Sequence, residues 1–172
     1  FLFLMLWRSS SSKLLRSSEA FVLFMRLTLL SFSNCVSLEE CDFGELKGYV
    51  NSMSYGMFEN TPIAASCVPV NIIQAASQSY NNCTKLRVVV FEGNLDVLGL
   101  RMFFGCNSVT VIFKSMTPPT TLEYGGLSNV VAIYVPDTAV SDYKSSVISG
   151  YASIIFPLSE YNGYMPTKLY EI

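Results

Sequence analysis

The chain has 172 residues, 51% of them hydrophobic, which is enough for one domain with a substantial core and far from the composition of a disordered chain. Eleven Lys plus Arg stand against 13 Asp plus Glu, so a net charge of -2 and a pI near 5.1 give no electrostatic footing for nucleic acid. No His is present, which removes the usual general base of Ser and Cys hydrolases and the commonest transition-metal ligand.

Residues 1–30 form the first segment. It carries Arg8, Lys13, Arg16 and Arg26 against Glu19 alone, a net +3, and two apolar runs, Phe1–Trp7 and Ala20–Met25. Both runs are far shorter than the roughly 20 residues that cross a bilayer, so no membrane span is expected. The apolar run precedes the basic residues, the reverse of an export signal. The segment reads as a damaged repeat or a covering element in preference to the remnant of an export signal, and the chain as a fragment of a longer protein.

A repeat follows. Phe32-Ser-Asn-Cys35, Phe58-Glu-Asn-Thr61, Tyr80-Asn-Asn-Cys83, Phe103-Phe-Gly-Cys106 and Tyr124-Gly-Gly-Leu127 each read as an aromatic, two small or polar residues, then Cys or a substitute. Counting from the fourth motif position, offset three gives Leu38, Ala64, Leu86, Val109 and Val130, and offset six gives Cys41, Cys67, Val89, Ile112 and Ile133. A period in the low twenties with apolar-x-x-apolar is the pattern of a leucine-rich repeat, in which each coil supplies one short strand and a return. The aromatic residues should then stack coil on coil, each worth roughly 1.5–3 kcal/mol when fully buried. Gly44, Gly48, Gly93, Gly99, Pro118 and Pro119 mark the returns as irregular turns.

After the last strand, Pro136 and Asp137 start and Gly150 stops a stretch with Val140, Tyr143 and Val147 on one helical face. A helix there would cap the open end of the core. The expected architecture is a β-rich solenoid of leucine-rich-repeat type with short parallel strands, irregular returns and a short C-terminal capping helix. Its divisions are an ill-defined segment over 1–30, repeats over 31–136, and the cap and tail over 137–172.

The residues also carry a family resemblance. Leu98-Gly-Leu-Arg-Met-Phe-Phe-Gly-Cys106 resembles the isoleucine-glycine, alanine-phenylalanine-x-glycine-cysteine core of BspA-like leucine-rich repeats, with Leu98 and Met102 as substitutes. The closing run of Thr117-Pro-Pro-Thr, Ala132-Ile-Tyr-Val-Pro136, Asp142-Tyr-Lys144 and Tyr151–Pro157 is similar to the way such arrays end. The likeness covers about residues 32–160 and is strongest from 80 onward. The family's usual tryptophan in the capping helix is absent, with Val147 or Ile148 near its place. The resemblance implies a surface recognition or adhesion protein, of the sort found in gut and oral anaerobes, their phages and some protists, and not an enzyme.

No catalytic residue, metal site or cofactor is expected. Glu39 and Glu40 are adjacent and would point to opposite faces of a strand. The five cysteines include no Cys-x-x-Cys and fall in repeat columns, so they read as small buried residues, with a Cys41–Cys67 disulfide as the alternative. The candidate binding surface is the outer face of the sheet, where offsets five and seven place Val88, Val90, Val111, Phe113 and Tyr134. Such an apolar strip demands either a docked partner or a cover, for which residues 1–30 are the candidate. The first reading is therefore a binding or adhesion module for a protein or glycan, extracellular or on a cell or virion surface. The competing reading is a structural assembly module that oligomerises and has no ligand of its own.

Overall fold

The computed structural model describes residues 32–34, 40–41, 51–167 and 170–171. The expectations for residues 1–30 lie outside them. The strands are β1 (Glu40–Cys41), β2 (Ala65–Val68), β3 (Gln74–Ala75), β4 (Val88–Phe91), β5 (Val97–Leu98), β6 (Val109–Phe113), β7 (Thr121–Leu122), β8 (Val130–Val135), β9 (Ile155–Pro157) and β10 (Tyr170–Glu171). Runs such as Val88-Val-Val-Phe91 and Val109-Thr-Val-Ile-Phe113 suit strands because branched and aromatic side chains fill a pleated surface. They lack the alternation of a half-exposed sheet, which is the mark of a parallel sheet covered on both faces.

Two sheets result. The larger has seven strands in the order β1-β10-β2-β4-β6-β8-β9, with β2, β4, β6, β8 and β9 mutually parallel. The smaller pairs β3, β5 and β7 in parallel. Each central repeat thus has two strands and a turn, where the sequence pattern indicated one strand and an irregular return. Gly99 shows how tightly the repeats approach. A Cβ there would lie 2.4 Å from the Ser77 nitrogen and 2.6 Å from the Ala75 carbonyl oxygen, so only glycine fits.

The turns carry the clearest ladder. The rings of Phe32 and Phe58 stack at 5.6 Å, Phe58 and Tyr80 at 5.4 Å, and Tyr80 and Phe103 at 5.5 Å. Alongside, the N–H of Phe58 donates to the Ser79 carbonyl and the N–H of Tyr80 to the Met102 carbonyl, tying each turn to the next. Two residues past each of these rings the backbone is left-handed, at Asn34, Asn60, Asn82 and Gly105, and it is so again at Asn129. Asn and Gly recur in that column because they adopt positive φ at least cost.

That column corrects the fifth motif. Asn129 lies two residues after Leu127, so Leu127, fully buried, continues the ring column, while Tyr124 is 80% exposed. The fourth-position column is therefore Thr61, Cys83, Cys106 and Val130. Its donors have a use: the thiol of Cys83 donates to the Phe58 carbonyl at 3.0 Å, that of Cys106 to the Tyr80 carbonyl at 3.1 Å, and the Thr61 hydroxyl to the Phe58 carbonyl at 2.6 Å. Small donors here satisfy buried carbonyls at the turn.

Face assignments also shift. Ser66, Val89, Val111 and Ile133 are successive partners across the sheet, and Val68, Phe91 and Phe113 form the next such row. Val111 and Phe113 therefore point into the core, where both are buried, and are not on the outer face. The cause is one residue of length. From Thr61 to Ser66 and from Cys106 to Val111 is five positions, but from Cys83 to Val89 is six. A slip of one exchanges the faces of a strand. A further bulge in β8 opposite Val109 and Thr110 leaves Val131 exposed. Ser66 faces inward because its hydroxyl shares a 2.8 Å hydrogen bond with the buried Tyr80 hydroxyl. Cys67, placed inward by the offset count, instead joins the outer cluster.

The cap is shorter than expected. A 3-10 turn at Asp137–Ala139 leads into α1 (Val140–Lys144), followed by a 3-10 stretch at Ser149–Ile154. At the end of the helix the Ser145 hydroxyl donates to the Ser141 carbonyl and that of Ser146 to the Tyr143 carbonyl, so serine side chains satisfy carbonyls of the last turn. Ile148 is buried and Val147 is exposed, so Ile148 supplies the cap's third contact beside Ala139 and Tyr143. Tyr143 extends a second ring row: Phe91 to Phe113 at 5.3 Å and Phe113 to Tyr143 at 5.5 Å. Its hydroxyl lies 3.0 Å from the carbonyls of Ser115 and Thr117, to which it donates.

Candidate binding surface

The outer face of the sheet presents Ala65, Val88, Val90 and Ile112, all buried, with Cys67 and Tyr134 beside them. Of the five residues proposed for this surface, Val88, Val90 and Tyr134 are there. Val111 and Phe113 are not. Ile112, which the offset count turned inward, takes the place between Val90 and Tyr134.

This face is occupied by the chain itself. After β9 the backbone makes a 3-10 turn at Leu158–Glu160, and Leu158, Tyr161 and Met165 pack onto the apolar strip. The Tyr134 ring meets Tyr161 at 4.9 Å and Phe156 at 5.7 Å. Asp137 Oδ1 accepts the Ser159 N–H at 3.0 Å and anchors the start of the segment, a bond that holds this carboxyl below its ordinary range. The far end is β10, antiparallel to both β1 and β2. The cover expected there, residues 1–30, lies outside the described residues; among those described, it is the C-terminal segment that packs on the strip. Because β10 separates β1 from β2, the backbones at Cys41 and Cys67 are two strand spacings apart, about 9.6 Å, which is beyond the reach of a disulfide.

The cysteines in the turns are built for packing. Burial pushes the Cys106 thiol up to about 12 and raises that of Cys83, against a lowering by the Thr61 hydrogen bond. Neither is a thiolate nucleophile near neutral pH. Burial likewise raises Tyr80, opposed by Ser66. Among the described residues no group of three His, Cys, Asp or Glu side chains could hold a metal ion.

Among the described residues, the turn edge carries exposed rings. The N–H groups of Gly56, Gln78 and Arg101 donate to the carbonyls of Ser77, Leu100 and Tyr124. This ladder places Tyr55, Ser77, Leu100 and Tyr124 in one column, with Tyr55 63% and Tyr124 80% exposed. Phe104, 52% exposed, lies on the same turns, with the Arg101 guanidinium 5.5 Å from its ring centre. Glu123 braces the column by accepting from the Leu100 N–H at 2.6 Å and the Ser77 hydroxyl at 3.0 Å. None of these residues was read from the sequence as exposed, because Tyr124 was placed in the buried aromatic column. The signal that separates the two alternatives is the spacing to Asn129.

With this geometry in place, the family can be stated. A family model for the BspA type leucine rich repeat region matches residues 26–122 in 6 copies, more than half of the chain. The chain belongs to this family. No curated protein matches it. BspA-type repeats serve as interaction or surface modules and are typically non-catalytic. Among the described residues, no helix is long and apolar enough to cross a membrane.

Proposed function

We propose that the chain is a non-catalytic binding or adhesion module, a solenoid of repeats closed by the 137–172 segment that displays a recognition surface to a protein or glycan outside the cell or on a virion. The observation that carries this reading is the contrast between the two surfaces. The apolar sheet face is sealed by the chain's own C-terminal segment, whereas aromatic side chains on the turn edge stand in solvent on a backbone fixed by ring stacking and a ladder of hydrogen bonds. Rigid presentation of exposed rings lowers the ordering cost of binding. The cover over the sheet also disfavours assembly through that face.

The test is direct. The labelled chain, probed against protein and glycan arrays, is expected to bind, and Tyr124→Ala with Phe104→Ala should weaken binding about tenfold or more, as for aromatic anchors elsewhere. A chain that binds neither array and runs in solution as a defined oligomer would be an assembly module instead.

A further inference from the structure

The first described coil meets the second in two different ways. At the turns the contact is that of any neighbouring pair: the N–H of Phe32 donates to the Met57 carbonyl at 2.6 Å and that of Asn34 to the Glu59 carbonyl at 2.8 Å, just as Phe58 and Asn60 donate to Ser79 and Asn81 one coil on. The Phe32 and Phe58 rings are 5.6 Å apart, against 5.4 and 5.5 Å for the next two pairs. At the sheet the same two coils are parted, because β10 lies between β1 and β2 and sets them two strand spacings apart, about 9.6 Å. The strands of the following coils, β2, β4, β6 and β8, pair with nothing between them. The C-terminal strap, residues 158–171, therefore ends as a wedge in a slot that the later repeats keep closed.

The slot is in register to close. β10 runs antiparallel to both neighbours, so β1 and β2 are already parallel to each other, as the rest of the repeat strands are. Glu40 and Ala65 both lie opposite Glu171, which sets Cys41 level with Ser66. Ser66 leads the row that continues through Val89, Val111 and Ile133, and Cys41 stands six positions after Cys35 as Val89 stands six after Cys83. Direct pairing of β1 with β2 needs neither a reversal nor a slip, only the departure of the two-residue strand between them. The bonds that β1 and β2 give up to β10 are then replaced by bonds to each other, so backbone pairing favours the wedged arrangement only weakly.

The remainder of the strap is held by side chains. Leu158, Tyr161 and Met165 are each partly buried on the strip, and the Ser159 N–H is anchored on Asp137 Oδ1 at the root. The described residues 161–167 belong to no helix or strand. A segment with an irregular backbone and half-buried anchors opens before the core does.

We propose that the strap is a removable latch with two seatings. In the closed seating β10 wedges β1 from β2 while Leu158, Tyr161 and Met165 cover Val88, Val90, Ile112 and Tyr134. On release β1 settles onto β2 in register and the strip beneath the strap is open, so the position of this segment governs access to the outer face of the sheet. The experiment places a disulfide where only the released form brings two thiols together. In the whole chain carrying Ser66→Cys/Cys67→Ser, the introduced thiol and Cys41 are two strand spacings apart while the strap is seated, beyond the reach of a disulfide, and one spacing apart after release, within it. Oxidation by glutathione disulfide, followed by mass spectrometry of the digested protein, should link them slowly. Adding Tyr161→Ala/Met165→Ala, which removes packing that holds the strap, should speed the linking about tenfold or more. The linked protein should bind a hydrophobic dye that the reduced protein leaves in solution, and a cooperative urea transition will show that the variants fold. Hydrogen exchange on the unaltered chain gives a second reading: peptides covering 166–172 should exchange faster than those covering β1, because β1 keeps a partner when β10 leaves. The latch is overturned by no link in the loosened protein, by a linking rate that the strap substitutions leave unchanged, by linked protein that binds no dye, or by β1 exchanging as fast as β10.

Discussion

The two faces of the larger sheet are both apolar and both buried, yet they are buried by different means. Inside, each residue is covered by its counterpart from the next repeat: Phe58 by Tyr80, Tyr80 by Phe103, Phe91 by Phe113. Outside, Val88, Val90 and Ile112 are covered by Leu158, Tyr161 and Met165, which come from a segment that repeats nothing. The inner face is self-templating, so losing one member disturbs its two neighbours. Among the described residues the outer face depends on this one segment, whose loss uncovers the strip beneath it.

The largest effect is expected within the inner ladder. Tyr80→Ala removes a fully buried ring from the middle of the stack and strips Ser66 of its hydroxyl partner. A loss of about 3–5 kcal/mol in urea unfolding is expected. A loss below about 1 kcal/mol would mean the stack is not what holds the turns.

Ile112→Ala probes the opposite face with a comparable deletion, and about 2–5 kcal/mol is expected if the strap packs as tightly as the core. Removing the strap by ending the chain at Pro157 sharpens the contrast. The uncovered strip should then bind a hydrophobic dye and drive association, whereas Tyr80→Ala, with its strap in place, should do neither while folded. Equal dye binding by the two proteins would erase the distinction.

Gly99→Ala tests how closely the repeats approach. Its Cβ would meet the backbone of Ala75 and Ser77, so a cost of about 1–3 kcal/mol is expected by thermal denaturation.

A smaller effect comes from the buried thiols. Cys106 is raised by burial from the ordinary value of 9.0 to about 12. The unfolded chain therefore loses this proton first as pH rises. Stability from this group is complete below about pH 9 and drains away between there and about pH 12. Cys106→Ser, which keeps a donor to the Tyr80 carbonyl, should flatten that decline in urea titrations run at successive pH values. An unchanged slope would put the alkaline loss elsewhere.

Least of all is expected from Tyr124→Ala, within about 0.5 kcal/mol, because the ring stands in solvent. A large loss would return Tyr124 to the buried column and remove it from the binding edge.

How far the sequence could be read follows the same division. The period, the rings at 32, 58, 80 and 103, and the parallel strands were legible because burial in a repeat leaves the same residue type at the same interval. The register was not. One additional residue between Cys83 and Val89 exchanges the faces of a strand without disturbing the period, so Val111 and Phe113 read as outward and Ile112 as inward. Tyr124 failed for a related reason: an aromatic three residues early satisfies the motif by type, and only the left-handed backbone at Asn129 shows that Leu127 fills the column.

The amino-acid order by itself determined that like side chains lie over like, and that the strands, apolar on both sides, needed cover. What covers them was decided by tertiary structure alone. Leu158, Tyr161, Met165 and the backbone of β10 are brought across the sheet by the turn that follows β9, and contacts between segments so far apart in the chain leave no periodic trace. Among the described residues, the turn edge keeps its exposed rings once that cover is in place.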